Sequence, residues 1–429
     1  MSFSFMNRVQ CICALVLAGV AGHSSAQLVP DYSRLLPGNL PSLNLPSIQL
    51  PQLLSPKDAF YEPPNPLPAG APGTIIRSRK LSLSTVPLAT AHQIMYVSTN
   101  VRGERIAVTG AVLVPAGKAG SGGRPLVAFA HGTRGMGDQC APSKQLNPLT
   151  IAALLPDVEI GTLTLLLLRG YTVAYTDYAG GGTSVPETYL VPKTEAYNVL
   201  DAARAAMRLP GSGVDAQSPV AIMGYSQGGQ AAAAAAEFHP LYAPELNVKG
   251  VAAGGVPSNM LGLVDYWKTG VGRITNSGFM LSSLMGLDNA YPELNLAQYT
   301  TRRGAELFKT VKEGCSTQYL TLFALVQSSE ATEPDVTTLP NWRAAFEAQT
   351  LGKHKPSAPV FLYHGSLDNV VAYSAGSEPL FKSWCRLGAK ARFVAYPLDH
   401  VAPIFAGLPD AMSFIADRFA DVPMVNQCQ

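Results

Sequence analysis

Apolar and polar positions change rhythm several times along the chain, and the changes mark its organisation. Residues 9–21 form an almost unbroken apolar run, preceded by Arg8 and followed by the small residues Ser24-Ser25-Ala26. A positive start, a short apolar stretch and small residues at a cleavage point predict a secretory signal over residues 1–26. The run is shorter than the ~20 residues a membrane span needs. Residues 27–72 then hold eleven prolines, with short Leu-Pro repeats such as Leu40-Pro41 and Leu45-Pro46. Proline fixes φ and removes an amide donor, so residues 27–73 are expected to be an extended tail or linker.

From Thr74 onward the pattern alternates. Residues 74–83, 92–99 and 105–114 read as strands, the last two joined by the turn Val101-Arg102-Gly103-Glu104, which gives an antiparallel start. Short apolar runs follow at 125–130, 171–176, 220–223 and 248–253. Between them lie helical spacings at 160–169, 194–209 and the Ala-rich 229–238. Strands alternating with helices predict a mostly parallel sheet with helices on both faces. Over 257–351 the alternation fails, and the segment reads as helices broken at Gly and Pro. Strands at 359–363 and 391–396 and helices at 375–387 and 411–419 then restore it. The expected organisation is an α/β core, residues 74–256 and 352–429, interrupted by a helical cap insertion at 257–351.

Composition narrows the function classes. The chain has 429 residues, 47% hydrophobic and 14% charged, with 31 Lys+Arg against 29 Asp+Glu. That near-neutral balance, with no basic stripe, argues against a nucleic-acid binder. A chain of this length buries most of its surface and needs no metal merely to hold a core. Signal cleavage would remove Cys11 and Cys13 and leave Cys140, Cys315, Cys385 and Cys428. An even number in an exported chain predicts two disulfides, with three pairings open. Neither Cys-x-x-Cys nor His-Glu-x-x-His occurs, so no metal site and no cofactor are expected. No other stretch is apolar for long enough to cross a bilayer, and a soluble, secreted mature protein is expected.

The strongest chemical signal is Gly224-Tyr225-Ser226-Gln227-Gly228-Gly229, set between the strand at 220 and the Ala-rich helix. Gly-x-Ser-x-Gly in a strand–turn–helix setting is a nucleophile elbow: a strained turn exposes the hydroxyl at the sheet's C-terminal edge. The Gln227 N–H opens the helix beside it and can bind a developing oxyanion. Serine needs a base and an acid, in the chain order Ser, acid, His for such an elbow. Of the seven histidines only His400, in the loop after the strand at 391–396, lies late enough. Asp368 follows the strand at 359–363 and can hold the base through its Nδ1–H. Asp399 is the competitor, but side chains of adjacent loop residues diverge. His364 reads as a brace for the acid's turn. The loop His131-Gly132-Thr133-Arg134-Gly135 should give the second oxyanion donor, the Thr133 N–H, with Gly132 as the alternative and His131 as a structural partner.

Taken together, several segments resemble the secretory lipase family of yeasts and bacteria. They are Cys140-Ala141-Pro142-Ser143, Thr176-Asp177-Tyr178, the elbow, Gly254-Gly255-Val256-Pro257-Ser258-Asn259, and Tyr363-His364-Gly365 with Asp368. The resemblance runs from about Thr74 to Phe419. It implies an α/β-hydrolase fold with a helical cap and hydrolysis of acyl esters such as glycerides, with a small-molecule or lipid ester as substrate. Carried over by motif, the family's triad lands on Ser226, Asp368 and His400. The resemblance also implies that Cys140 bonds to Cys315, leaving Cys385 to Cys428. In yeast members a carboxylate near the end of the first parallel strand assists the oxyanion hole. Here His131-Gly132-Thr133 stands in that place, so a backbone donor or the Thr133 hydroxyl is expected to serve. The alternatives are a serine peptidase of the same fold and a hydrolase-like binding protein that has lost catalysis.

Overall fold

The computed structural model describes residues 58–82, 84–86, 89–117, 123–147, 158–322 and 326–428. The expected secretory signal and most of the proline-rich segment lie outside them.

One sheet organises the protein. Its strands are β1 (Ile75–Lys80), β2 (Ala89–Thr99), β3 (Arg105–Pro115), β4 (Leu126–Ala130), β5 (Thr172–Thr176), β6 (Val220–Tyr225), β7 (Val248–Gly254), β8 (Val360–Gly365) and β9 (Ala391–Tyr396). They lie in the order β1-β2-β3-β5-β4-β6-β7-β8-β9. The first three strands and β5 pair antiparallel, and every pairing from β5 to β9 is parallel.

The helices are α1 (Pro142–Gln145), α2 (Ile160–Leu168), α3 (Pro192–Arg208), α4 (Gln227–Tyr242), α5 (Met260–Trp267), α6 (Gly270–Thr275) and α7 (Ser277–Ala290). After them come α8 (Leu296–Tyr299), α9 (Arg302–Glu313), α10 (Ser316–Leu322), α11 (Pro340–Ala348), α12 (Ser377–Arg386), α13 (Ala402–Ala406) and α14 (Leu408–Phe419).

Strand periodicity splits the core into two layers. Leu126, Ala128 and Ala130 of β4 join Val220 and Ile222 of β6 in the layer covered by α3, α4 and α12. Val127, Phe129, Ala221 and Met223 point the other way, into the layer covered by α2 and α14. Alternate residues of one strand thus serve opposite faces. The run Ala231–Ala236 in α4 is wholly buried, because methyl side chains let that helix lie close against the sheet. In α2, Leu166 and Leu167 are buried while Leu165 and Leu168 face outward.

Chain order around β4 and β6 fixes the location of a site. From β4 the chain crosses through α2 to β5 on one side, whereas from β6 it crosses through α4 to β7 on the other. Such a switch point opens a crevice at the strands' C-terminal ends. The loop after β4 and the turn after β6 both lie there.

Between β7 and β8 the described residues are helical, α5 to α11, with short 3₁₀ turns and the isolated bridges Gly135–Cys315 and Thr300–Thr332. The insertion is tied down beside the switch point. The Trp267 indole donates to the Val370 carbonyl at 2.8 Å, and Asn276 donates to the Asn369 carbonyl at 3.0 Å. Cys140 is bonded to Cys315 and Cys385 to Cys428.

Packed structure begins before Thr74, the expected start. Phe60 and Tyr61 are buried, the Tyr61 hydroxyl bonds Ser143 Oγ at 2.8 Å, and Asp58 is ion-paired with Arg79. Proline bars a ladder, but side-chain bonds and two aromatic rings fasten this strap, a 3₁₀ turn at Ala59–Tyr61, without one. The Ser143 amide in turn donates to Asp177 at 2.8 Å, so two of the short sequence motifs meet in one buried contact.

Candidate active site

Ser226 stands between β6 and α4 at φ 60°, ψ −122°. A non-glycine residue there is strained, and the turn holds it because its neighbours allow close approach. A Cβ at Gly224 would overlap the Gly228 carbonyl, and one at Gly228 would overlap that of Ala130. The Ser226 N–H donates to the Gly254 carbonyl at 2.9 Å, fixing the turn to β7.

His400 Nε2 lies 3.0 Å from Ser226 Oγ, and its Nδ1 lies 2.7 Å from Asp368 Oδ2. The other Asp368 oxygen accepts from the amides of Val370 at 2.9 Å and Val371 at 2.7 Å. The carboxylate is thereby aimed by its own turn. With Asp368 accepting at Nδ1, the imidazole presents a bare Nε2 to the serine hydroxyl, the arrangement needed to remove its proton. Asp399, the competing acid, spends Oδ1 on the amides of Val401 and Ala402 at the start of α13.

The remaining histidines near the site are structural. His364 is fully buried, donates through Nε2 to the Val371 carbonyl at 2.9 Å, and accepts at Nδ1 from the Ser377 amide at 3.3 Å. Burial lowers its pKa, so it braces the Asp368 turn as a neutral ring. Burial, with the Arg134 charge beside it, takes His131 down to about 3. Its Nδ1–H donates to the Gly132 carbonyl at 2.7 Å.

The cavity over the serine has a volume of about 230 Å³. Ser226, Gln227, His400, Gly132 and Thr133 form its floor, while Val158, Leu263, Trp267, Phe279, Val371 and Ile404 form apolar walls. Gln227 is the first residue of α4, so its N–H has no acceptor within the helix. The Thr133 hydroxyl is bonded to the Tyr189 hydroxyl at 2.8 Å. The Gly132 N–H is committed elsewhere, donating to Glu159 Oε1 at 2.8 Å. Among the described residues no cluster of His, Cys, Asp and Glu could hold a metal.

Three residues to which the sequence alone assigns no role complete the surroundings. Glu159 stands where an N-cap of α2 would be, but its side chain leaves the helix for Gly132 and for Arg134, 2.5 Å away. A carboxylate therefore does reach the loop after β4, from a different segment. Tyr225, buried under the elbow, donates to the His400 carbonyl at 2.7 Å. Glu195 of α3 accepts from the Gln227 side-chain amide at 2.8 Å. Acids at the first turn of a helix are ordinary dipole partners, so neither glutamate stood out in the sequence.

Known proteins match this arrangement over most of the chain. The family model for secretory lipases matches residues 146–427. The secreted triacylglycerol lipase LIP7 of Malassezia globosa is 29% identical over 391 residues, spanning 87% of this chain and 81% of its own. A probable inactive lipase of Mycobacterium tuberculosis, MT1628, is 28% identical over 87% of this chain and 84% of its own. The closed-state crystal structure of Candida antarctica lipase A superposes with a TM-score of 0.77, at 23% identity, over 87% of this chain and 88% of that one. That likeness concerns the fold. Among the described residues no helix is long and apolar enough to cross a membrane. The chain belongs to the secretory lipase family, secreted carboxylic ester hydrolases with the α/β-hydrolase fold.

Proposed function

We propose that this lipase cleaves acyl esters such as glycerides through a covalent acyl-enzyme on Ser226. The observation that carries the reading is the relay from Ser226 Oγ to His400 at 3.0 Å and on to Asp368 at 2.7 Å. His400 Nε2 takes the hydroxyl proton as Oγ bonds to the ester carbonyl carbon. The charge that forms on the carbonyl oxygen is received by the N–H groups of Gln227 and Thr133. His400 then gives its proton to the departing alcohol, leaving the acyl group on Ser226. Water, deprotonated by the same nitrogen, attacks that ester, and the acid leaves as Oγ regains its proton. Asp368 keeps the ring in one tautomer and offsets the imidazolium charge.

Apolar walls around the serine suit an acyl chain, and the mouth carries exposed apolar side chains. Val158 is 49% exposed and Val401 52%, both lining the cavity. Such a rim suits a substrate presented at a lipid–water interface.

Ser226→Ala tests the reading. It should fold normally, lose labelling by a fluorophosphonate, and lose at least about three orders of magnitude in kcat on 4-nitrophenyl esters. More than a tenth of wild-type activity in that variant would contradict the acyl-enzyme.

A further inference from the structure

We infer that Glu195 is the positioning residue that couples the two halves of the oxyanion site. The inference rests on the esterase reading above, in which Gln227 and Thr133 supply the donors. Glu195 lies on α3 behind the cavity wall and is 1% exposed. Its Oε1 accepts two bonds, from the Gln227 side-chain amide at 2.8 Å and from the Leu190 N–H at 3.1 Å. The first fixes the residue whose own N–H faces the serine. The second fixes Leu190, a non-glycine residue at φ 57°, and with it the preceding Tyr189. The Tyr189 hydroxyl then holds Thr133 Oγ1 at 2.8 Å. One carboxyl oxygen thus links the start of α4 to the loop after β4, although the two segments are 94 positions apart in the numbering of Thr133 and Gln227.

The electrical state of that carboxyl matters as much as its bonds. Burial raises Glu195 to about 8, above the usual carboxylate range, even with the two donors opposing it. The titratable groups that face it are acids and phenols: Glu187 and Tyr189 from the segment before α3, and Tyr178 after β5. Each of these is itself raised by burial, and among the described residues no ion pair to Glu195 is present. At neutral pH the group is therefore an uncharged acid whose carbonyl oxygen accepts both bonds. Its other oxygen, Oε2, is buried with no partner among the described residues, which also favours the uncharged form. Ionisation would put a negative charge directly behind the Gln227 amide as negative charge develops in front of it. The two would repel, and kcat would fall.

The test uses the full-length secreted enzyme, a 4-nitrophenyl butyrate assay from pH 6.5 to 9.5, and fluorophosphonate titration to count reactive serines. In the wild type kcat should fall through pH 8. Glu195→Gln keeps an uncharged acceptor of the same shape. It should retain kcat at pH 7 within about threefold and lose the alkaline fall. Glu195→Ala should lower kcat at pH 7 by about 10–100-fold with KM within about twofold, the signature of a donor misplaced in the transition state. If Glu195→Ala does not fold, Gln227→Met cuts the same link from the other side and should lower kcat about tenfold. A wild-type rate level to pH 9.5, an alkaline fall persisting in Glu195→Gln, or an unchanged kcat in Glu195→Ala or Gln227→Met would each overturn the inference. Failure of the esterase reading itself is separable, because the wild type would then not react with the fluorophosphonate.

Discussion

The Tyr225 hydroxyl donates to the His400 carbonyl at 2.7 Å, so the residue just before the elbow serine holds the backbone of the loop that carries the histidine. Serine and histidine come from segments separated by 174 positions, yet this bond makes their spacing a property of one local contact. The Tyr225 ring lies beneath His400, centroids 5.4 Å apart, and beside Tyr363 at 5.7 Å. Tyr225→Phe keeps both ring contacts and removes only the tether. It should lower kcat about 3–10-fold, leave KM nearly unchanged and cost about 1 kcal/mol of stability. A kcat equal to wild type would show that the α13 turn alone aligns the base.

Asp368 and His364 are four residues apart on one turn but have different duties, and their variants should separate. His364 Nε2 lies 3.4 Å from Asp368 Oδ2, against 2.7 Å for His400 Nδ1. Asp368→Asn keeps the shape of the turn and offers the wrong partner to His400. Its kcat should drop by about 10³–10⁴-fold with little change in Tm. His364→Gln should do the reverse: a clearly lower Tm, with activity per reactive serine within about tenfold. If His364→Gln instead removed activity from protein that is still folded and still carried a reactive serine, His364 would belong to the chemistry.

How much of this was legible in the sequence follows from which interactions are local. Strand alternation and the elbow are local patterns, and the partners of the proposed triad follow from chain order, so the three side chains that meet here, Ser226, Asp368 and His400, could be picked without coordinates. Helices α1 and α13 are too short to show a 3.6-residue period. The strap at Asp58–Tyr61 escaped because its anchors, Arg79, Gln93 and Ser143, are distant in sequence. The polar network that links Gln227 and the loop after β4 to buried glutamates escaped for another reason. Glu159 and Glu195 occupy positions where an exposed acid is ordinary, and only packing against β5, the elbow and the loop after β4 makes them buried.

The cavity wall offers a direct handle on acyl length. Phe279 of α7 lines the cavity, is only partly buried, and meets the rings of Trp267 at 6.5 Å and Tyr319 at 6.0 Å. Phe279→Ala removes a wall without touching the floor. The ratio of kcat/KM for decanoate over butyrate esters should rise by about 5–50-fold, since each accommodated methylene contributes about 1 kcal/mol. An unchanged ratio would place the acyl chain elsewhere.

Buried acids set the pH dependence of stability. Burial raises Asp177 and Asp201 to about 6, against an ordinary value of 3.8, despite their hydrogen bonds. Each group binds its proton more tightly folded than unfolded. The resulting stabilisation is full below about pH 4 and is lost as pH rises to about 6. Glu195 extends the decline to about pH 8. His131 and His364, held neutral by burial, act in the opposite sense as pH rises to 6.5, so the acids are read by difference. Relative to the wild type, Asp177→Asn should gain on the order of 2–3 kcal/mol between pH 4 and 6 and run parallel to it between 6 and 8. The slope is what is read, so a uniform offset from the substitution does not matter. An unaltered slope would mean that Asp177 is ionised throughout.

The disulfide between Cys140 and Cys315 spans 175 residues and joins the segment that follows the loop after β4 to the helical insertion. It does not act alone. The Ser316 N–H donates to the Arg134 carbonyl at 2.8 Å, the Gly137 N–H to the Gly314 carbonyl at 3.2 Å, and the Met136 N–H to the Tyr319 hydroxyl at 3.1 Å. Thr133 and Arg134 on one side of this seam, and Ser316 and Thr317 on the other, all line the cavity. The covalent bond restricts the unfolded chain, by roughly 5 kcal/mol in chain-entropy models for a loop this long. The hydrogen bonds hold the seam's geometry once folded. Replacing both cysteines by serine should thus lower Tm markedly while most butyrate esterase activity survives at 25 °C. Discrimination between short and long acyl esters should weaken, because the insertion supplies Leu263, Trp267 and Phe279 to the wall. Reduction of the wild type adds the loss of Cys385–Cys428, whose loop spans only 43 residues, so the double-serine variant is the cleaner measurement. If its Tm stayed within a degree of wild type and its chain-length profile were identical, the hydrogen-bonded seam alone would be holding the insertion.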